Sequence, residues 1–159
     1  MLDIKSTCCV TGHRDIPAGQ VAYVKEALRR EVALAVAEGY RRFISGFAEG
    51  VDQYFAEAVL EAAELDYSVI LEAAIPYRKR QYGLLNREDT RRMLLSCVNS
   101  VISEAYAPNV FYLRNLYMVK ESSRIIAVYD GRRKGGTYGT MRLAKAAGRA
   151  VRLIPIQPR

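Results

Sequence analysis

Three stretches of the chain combine glycines, hydroxyls and cations as anion-holding turns do: "TGHR" at 11–14, "SGFAEGVD" at 45–52 and "DGRRKGGTYGT" at 130–140. The third packs four glycines, three basic residues and two threonines into eleven positions. Glycine lets backbone N–H groups approach a ligand with no side chain in the way. A helix start adds unpaired donors and a partial positive charge, and the combination suits a phosphate. The candidate ligand- or phosphate-binding residues are therefore Thr11, Gly12, Arg14, Ser45, Gly46, Glu49, Gly50, Asp52, Asp130, Gly135, Gly136, Thr137, Gly139 and Thr140. None of the three stretches matches the phosphate loop of nucleoside triphosphatases, because no Gly-Lys-Ser/Thr follows four residues after a glycine. The dinucleotide pattern G-x-G-x-x-G is absent as well.

Each residue type has its own chemistry. The Arg14 guanidinium can clamp a phosphate through two parallel hydrogen bonds, or it can pair with Asp15. Asp52 falls in the first turn of a helix, where it either caps that helix or accepts from ribose hydroxyls. Glu49 carries a charge unfavourable beside phosphate and is expected at the pocket rim or near a sugar. Thr137 and Thr140 offer hydroxyls, Arg132 and Lys134 offer charge, and Asp130 suits an Asx-type bond that holds its turn. His13 is the only histidine, so it makes no metal site; its expected role is a ring hydrogen-bonded to fix the turn. His13, Tyr82, Arg114, Asn115 and Lys134 are the candidate rim, with Arg114 and Asn115 reaching in across the sheet edge. Tyr82 and Tyr117 are each either a stacking platform for a base or part of the core. Cys8 and Cys9 alternate faces of a strand and are expected buried and unreactive.

The elements that must position these residues follow from hydrophobic spacing. "STCCVT" (6–11), "RRFIS" (41–45), "YSVILEAAIP" (67–76, stopped by Pro76), "RIIAVYD" (124–130) and "AVRLIPI" (150–156) read as strands. Val21, Val24, Leu28, Val32, Ala35 and Val36 mark a helix of about five turns, which Gly39 ends. Val51, Tyr54, Phe55, Ala58, Val59 and Ala62 mark a second helix. The second half of "YRKRQYGLLNREDTRRMLLSCVNSV" reads as a helix before a short strand in "VNSVISEA". Phe111, Arg114, Met118 and Ser122 mark another helix, and "TMRLAKAAG" a last one closed by Gly148. Strand alternating with helix implies crossovers, so the fold class is α/β: a single doubly wound, Rossmann-like domain over 1–159 with a mostly parallel sheet. In such sheets ligands bind at the carboxyl ends of the strands near a switch in strand order, and all three stretches fall at such ends.

Composition narrows the function classes. Twenty-four Lys and Arg against seventeen Asp and Glu give a net charge of +7, which favours anionic partners. The cations are dispersed in pairs and triplets, so no single nucleic-acid stripe is expected. Three cysteines, two of them adjacent, make neither a disulfide framework nor a zinc spacing. No signal peptide is read in "MLDIKSTCCVTGHR", and no stretch approaches the ~18 apolar residues of a membrane span. The expectation is a cytoplasmic protein with no membrane partner and no metal.

"TGHR", "SGFAEGVDQYFAEAV" and "RNLYMVKESSRIIAVYDGRRKGGTYGT", in that order, resemble the YpsA-like branch of the SLOG superfamily. That superfamily includes the core of the DNA-processing protein DprA and the LOG-type phosphoribohydrolases. The resemblance implies a Rossmann-like fold and a pocket for a nucleotide or nucleotide-derived ligand, ADP-ribose-like ligands included. It maps Thr11, Gly12, His13 and Arg14, then Gly46, Gly50 and Asp52, then Gly135, Gly136, Thr137 and Thr140 onto the family's turns. The branch usually has Trp where this chain has Tyr117 and an acidic residue where it has Lys120, so contacts on that helix are expected to differ. The function expected is a binding or sensor module for a nucleotide-like ligand, with no resident cofactor beyond it. One alternative is an N-glycosidic phosphoribohydrolase acting on nucleoside monophosphates. LOG enzymes place glutamates after their Gly-Gly-x-Gly-Thr turn, whereas this chain has Met141, Arg142 and Leu143. The other alternative is DprA-like binding of single-stranded nucleic acid. Homo-oligomers are common among related Rossmann-like proteins and are an expected partner class.

Overall fold

The computed structural model describes residues 3–158. Six strands form one sheet: β1 (Thr7–Gly12), β2 (Arg42–Ser45), β3 (Ile70–Tyr77), β4 (Val98–Ser103), β5 (Arg124–Tyr129) and β6 (Ala150–Pro155). Their order is β4-β3-β2-β1-β5-β6, and every neighbouring pair is parallel. Six helices connect them: α1 (Val21–Ala37), α2 (Val51–Leu65), α3 (Arg78–Leu85), α4 (Glu88–Leu95), α5 (Val110–Glu121) and α6 (Gly135–Ala146). The chain builds outward from β1 to β4, then α5 carries it back to place β5 on the other side of β1. The switch in strand order therefore lies between β1 and β5, where a crevice opens above the strand ends.

Strand periodicity divides the core. Cys8 and Val10 face one layer with Phe43, Leu28 of α1 and Phe55 of α2. Cys9 faces the other with Ile44, Ala74, Ile125, Met118 and Val119 of α5, and Ala144 of α6. Both thiols have no exposure, as the sequence led one to expect, and burial pushes Cys9 up to about 12. Helices α1 and α6 end alike. The amides of Gly39 and Tyr40 donate to Val36 and Ala35, and those of Gly148 and Arg149 donate to Lys145 and Ala144, which satisfies the last carbonyls.

Most strand ends shift by a residue or more from the sequence reading, and four differences bear on the architecture. Strand β3 passes Pro76 and runs to Tyr77. Its neighbour β2 ends at Ser45 opposite Ala73, so a prolyl nitrogen at 76 breaks no bond on that side. The polar segment after β3 holds two helices instead of one. Helix α3 escapes notice because Leu84 is its only buried residue, leaving no apolar stripe to read. Strand β4 is a full six residues. Helix α6 begins at Gly135, so the glycines expected in a loop form its first turns.

Tyr117 and Lys120, where the family pattern departs, lie away from the crevice. Tyr117 donates its hydroxyl to Glu72 Oε2 at 2.5 Å, and Arg42 Nε donates to Glu72 Oε1 at 2.8 Å, so the buried Glu72 carboxylate is partnered on both oxygens. Lys120 is exposed in the last turn of α5, where a cation suits the helix dipole. Neither residue lines the crevice.

Candidate functional site

A cavity of about 370 Å³ opens above the ends of β1 and β5. Thr11, Gly12, His13 and Arg14 form its floor and one side. Ala48 and Asp52 from the β2–α2 turn, Phe111, Arg114, Asn115 and Met118 from α5, and Arg132, Lys134, Gly135, Gly136 and Thr137 complete it.

The turn after β2 is shaped by close contacts. A Cβ on Gly46 would sit 2.7 Å from Arg114 Nη1 and 2.8 Å from Asp52 Oδ2, so only glycine fits between these two side chains. Phe47 follows with φ 56°, an unfavourable conformation for a side chain that is nonetheless fully buried. That twist leaves the Phe47 amide donating to Ser45 Oγ at 3.2 Å and the Ala48 amide donating to Asp52 Oδ2 at 3.2 Å. Ser45 Oγ in turn donates to the Asp52 carbonyl at 2.7 Å. Gly50 then takes φ 82°, with His13 and Arg14 carbonyls close to where its side chain would be. Gly12 approaches Val51 so closely that a Cβ would lie 2.4 Å from it. The first turn of α2 is thereby pressed onto the end of β1.

Asp52 and Arg114 are both buried on the cavity wall, 7% and 6% exposed. Arg114 Nη1 donates to the Gly46 carbonyl at 2.7 Å and Nε donates to Asn115 Oδ1 at 2.8 Å. No ion pair within 4.0 Å joins Arg114 to Asp52. Burial raises the Asp52 carboxyl, and the charges of Arg114 and Arg14 and the Ala48 amide pull it back. Burial likewise lowers the Arg114 guanidinium, against the pull of Asp52. Asp52 does not cap α2, since no side chain caps that helix. Its Oδ2 instead holds the Ala48 amide of the preceding turn.

The opposite wall is held by Arg132. Its guanidinium grips Asp130 through Nε at 2.9 Å and Nη2 at 2.5 Å, and reaches Asp15 at 3.4 Å. The Arg132 amide donates to Asp130 Oδ1 at 3.1 Å, the Asx-type turn the sequence suggested. These bonds hold the Asp130 carboxyl down at about 2. His13 Nε2 lies 3.3 Å from the Asp130 amide and 3.2 Å from Asp130 Oδ1, and burial lowers the His13 pKa against the pull of that carboxylate. His13 stacks on Tyr129 with centroids 5.9 Å apart, and Tyr129 stacks on Tyr138 at 6.5 Å.

Among the cavity's cations, Arg114 is held by the Gly46 carbonyl and Asn115, which leaves Arg14 and Lys134 without a polar side-chain partner among the described residues. Asp15 and Asp130 are taken by Arg132, and among the described residues neither Arg14 nor Lys134 has a carboxylate within 4.0 Å. Both line the cavity beside the start of α6, where Lys134 occupies the N-cap position with no side-chain cap and Gly135 and Gly136 follow with first-turn amides.

The structure thus brings eleven of the expected residues to the cavity: Thr11, Gly12, His13, Arg14, Asp52, Arg114, Asn115, Lys134, Gly135, Gly136 and Thr137. Ser45, Gly46, Gly50 and Asp130 stand behind them as supports. Glu49 is turned away, its carboxylate on Arg87 at 3.3 Å. Tyr82 is 58% exposed on α3 and is not on the wall. Gly139 and Thr140 lie on a neighbouring groove, with the Thr140 hydroxyl donating to the Gly136 carbonyl at 2.8 Å. Missing from the sequence-derived wall were Val10, Asp15, Ala48, Phe111 and Met118. The 111–114–118 spacing that marked α5 as a helix was also the signal that Phe111 and Met118 share a face with Arg114.

An all-parallel sheet with glycine turns around a crevice at its switch point is a Rossmann-like architecture. The chain belongs to the YpsA family, whose model, described as the YspA SLOG family, matches residues 8–155. It is 29% identical over 154 residues to UPF0398 proteins of Bacillus thuringiensis (strain Al Hakam) and Bacillus cereus (strain AH187), covering 87% of this chain and 82% of each relative. Among solved structures it resembles DNA processing protein A from Helicobacter pylori, with TM-score 0.66 and 17% identity over 95% of this chain and 66% of that one. The protein TM1055 matches with TM-score 0.57, 15% identity and coverage of 92% and 72%. The Moco carrier protein of Chlamydomonas matches with TM-score 0.53, 15% identity and coverage of 94% and 75%. These likenesses establish the shared fold. No helix among the described residues is long and apolar enough to cross a membrane.

Proposed function

We propose that the chain binds a nucleotide or nucleotide-derived ligand in this cavity, phosphate first, and acts as a sensor or regulatory module. The observation that carries the reading is the uncompensated Arg14 guanidinium beside the first-turn amides of α6, with Lys134 on the same wall. The first-turn amides of α6 with the Arg14 and Lys134 cations facing one crevice suit a phosphate dianion. Asp52, buried and facing the same space, suits a sugar hydroxyl donor. Isothermal titration with nucleoside monophosphates, dinucleotides and ADP-ribose tests this. Binding at micromolar level is expected for one of these classes, with Arg14→Ala weakening it tenfold or more, as removal of a charge-assisted hydrogen bond implies. Failure of all of them to bind, or an unaffected Arg14→Ala variant, defeats the proposal.

The hydrolase alternative has one carboxylate left to work with. Glu49 points away, Met141 is buried and Leu143 offers no oxygen, whereas Asp52 faces the cavity with its pKa raised. Release of free base from nucleoside monophosphates, lost in Asp52→Asn, is the result that would move the reading to that class. The Helicobacter neighbour is described as binding single-stranded DNA. For this chain that mode predicts a low-salt gel shift that fades steeply as salt rises.

A further inference from the structure

The cavity continues into a second space of about 440 Å³ between α5 and α6, with Phe111, Asn115 and Gly136 shared by both. Tyr112, Gly139, Thr140, Arg142 and Leu143 line the rest, so its walls are chiefly apolar and aromatic. Gly139 stands out here. It lies in the second turn of α6, where glycine is a poor helix former. Its φ is not in the positive region, and a Cβ would meet nothing within 4 Å; the same holds for Gly136. Neither backbone conformation nor packing in the free molecule calls for glycine at these two positions. They contrast with Gly12 and Gly46, where a neighbour fills the space.

Resting on the reading of the cavity as a phosphate site, we propose that this groove seats the base of the ligand, a flat aromatic ring lying on the bare backbone face of α6 at Gly136 and Gly139. Three observations converge on that occupant. The groove opens directly from the phosphate end of the cavity at Gly136, so one molecule can span both. Phe111 and Tyr112 present ring surface across from the glycines, and both are substantially exposed in the free protein. Asn115 stands where the two spaces meet. Its Oδ1 is taken by Arg114, which orients its amide and leaves the Nδ2 donors uncommitted for a ring nitrogen or carbonyl. Glycine then has a physical reason: a ring stacked on a helix surface needs that surface free of side chains.

The test compares adenosine monophosphate with ribose 5-phosphate, which carries the same phosphate and sugar without the base. Titration of the unmodified protein is expected to give adenosine monophosphate at least a tenfold advantage. Gly139→Leu, which fills the groove from an open position, and Tyr112→Ala, which removes its far wall, are each expected to reduce that ratio severalfold or more. Gly139→Ala should raise the melting temperature, because alanine is the better helix former and nothing obstructs it. Equal affinity of the two probes, or a ratio unmoved by Gly139→Leu and Tyr112→Ala, overturns the base seat while the phosphate reading stands. No binding of either probe overturns the base seat, and failure of dinucleotides and ADP-ribose to bind as well overturns the phosphate reading with it. A change of oligomeric state in Gly139→Leu by sedimentation, with the affinity ratio intact, reassigns the groove to contact between copies and overturns it as well.

Discussion

Replacing Gly46 by alanine probes the joint between α5 and the β2–α2 turn. The added Cβ would lie 2.7 Å from Arg114 Nη1, 2.9 Å from its Cζ and 2.8 Å from Asp52 Oδ2, where ordinary contact begins at 3.4 Å. Neither partner is the loose end of a surface chain. Arg114 is fixed at 2.7 Å on the Gly46 carbonyl, and Asp52 is fixed on the Ala48 amide. Pushing the guanidinium back strains a charge-assisted hydrogen bond of a buried arginine, worth about 1.5–3 kcal/mol, and overpacking adds about 1–3 kcal/mol. Because the two costs overlap, Gly46→Ala is expected to lose about 2–4 kcal/mol in urea unfolding followed by circular dichroism. Gly136→Ala, with open space around it, should change stability by less than about 0.5 kcal/mol or raise it. In an Arg114→Met background the Gly46→Ala penalty should shrink by about 1 kcal/mol or more, the coupling that a shared contact produces. A penalty below about 0.5 kcal/mol, or one unchanged in that background, would refute the account of how this turn is held.

Acid should weaken the fold through Asp130. Its folded pKa of about 2 lies below the unfolded carboxyl, so its stabilising contribution is complete above pH ~4 and disappears as pH falls towards 2. With the half-exposed Arg132 partner screened by water, that contribution is about 1–2 kcal/mol, and Arg132→Met should flatten this limb of the stability–pH curve. His13 acts over a higher range: its folded pKa is lowered by burial, so stability is full above pH ~6.5 and declines as pH falls below it, a decline absent in His13→Gln. The three thiols should resist a disulfide reagent at pH 8 in the native protein and react promptly in urea, because burial pushes Cys9 and Cys97 up to about 12 and Cys8 well above its usual value. Rapid native labelling of Cys8 or Cys9 would contradict their place in the core.

The sequence displays the layered sheet because its strands and long helices bury regular stripes: Val24, Leu28 and Val32 on α1, and Val51, Phe55 and Val59 on α2. It displays the turns because glycine and hydroxyl clusters follow apolar runs. It hides whatever depends on distance along the chain. Arg114 reads as a rim residue, yet it is buried and bonded to a carbonyl 68 positions earlier. Glu49 reads as a pocket residue because it adjoins Gly50, but the twist at Phe47 and the pull of Arg87 point it outward. Arg132 reads as loose charge, although two carboxylates from separate loops fix it. Helix α3 and the early start of α6 are hidden for a local reason: one buries a single side chain and the other opens on glycines.

The row of rings from His13 through Tyr129 to Tyr138 has a spectroscopic consequence. With eleven tyrosines and no tryptophan, phenol emission is not drained by energy transfer to an indole. Tyr129 stacks directly on the His13 ring of the cavity wall, and its hydroxyl donates to the Arg132 carbonyl in the adjoining turn. A molecule entering the crevice alters the surroundings of that phenol from two sides. The difference in emission between the native chain and a Tyr129→Phe variant isolates its signal from the other ten, so occupancy can be followed by intrinsic light, without a dye and without a covalent tag.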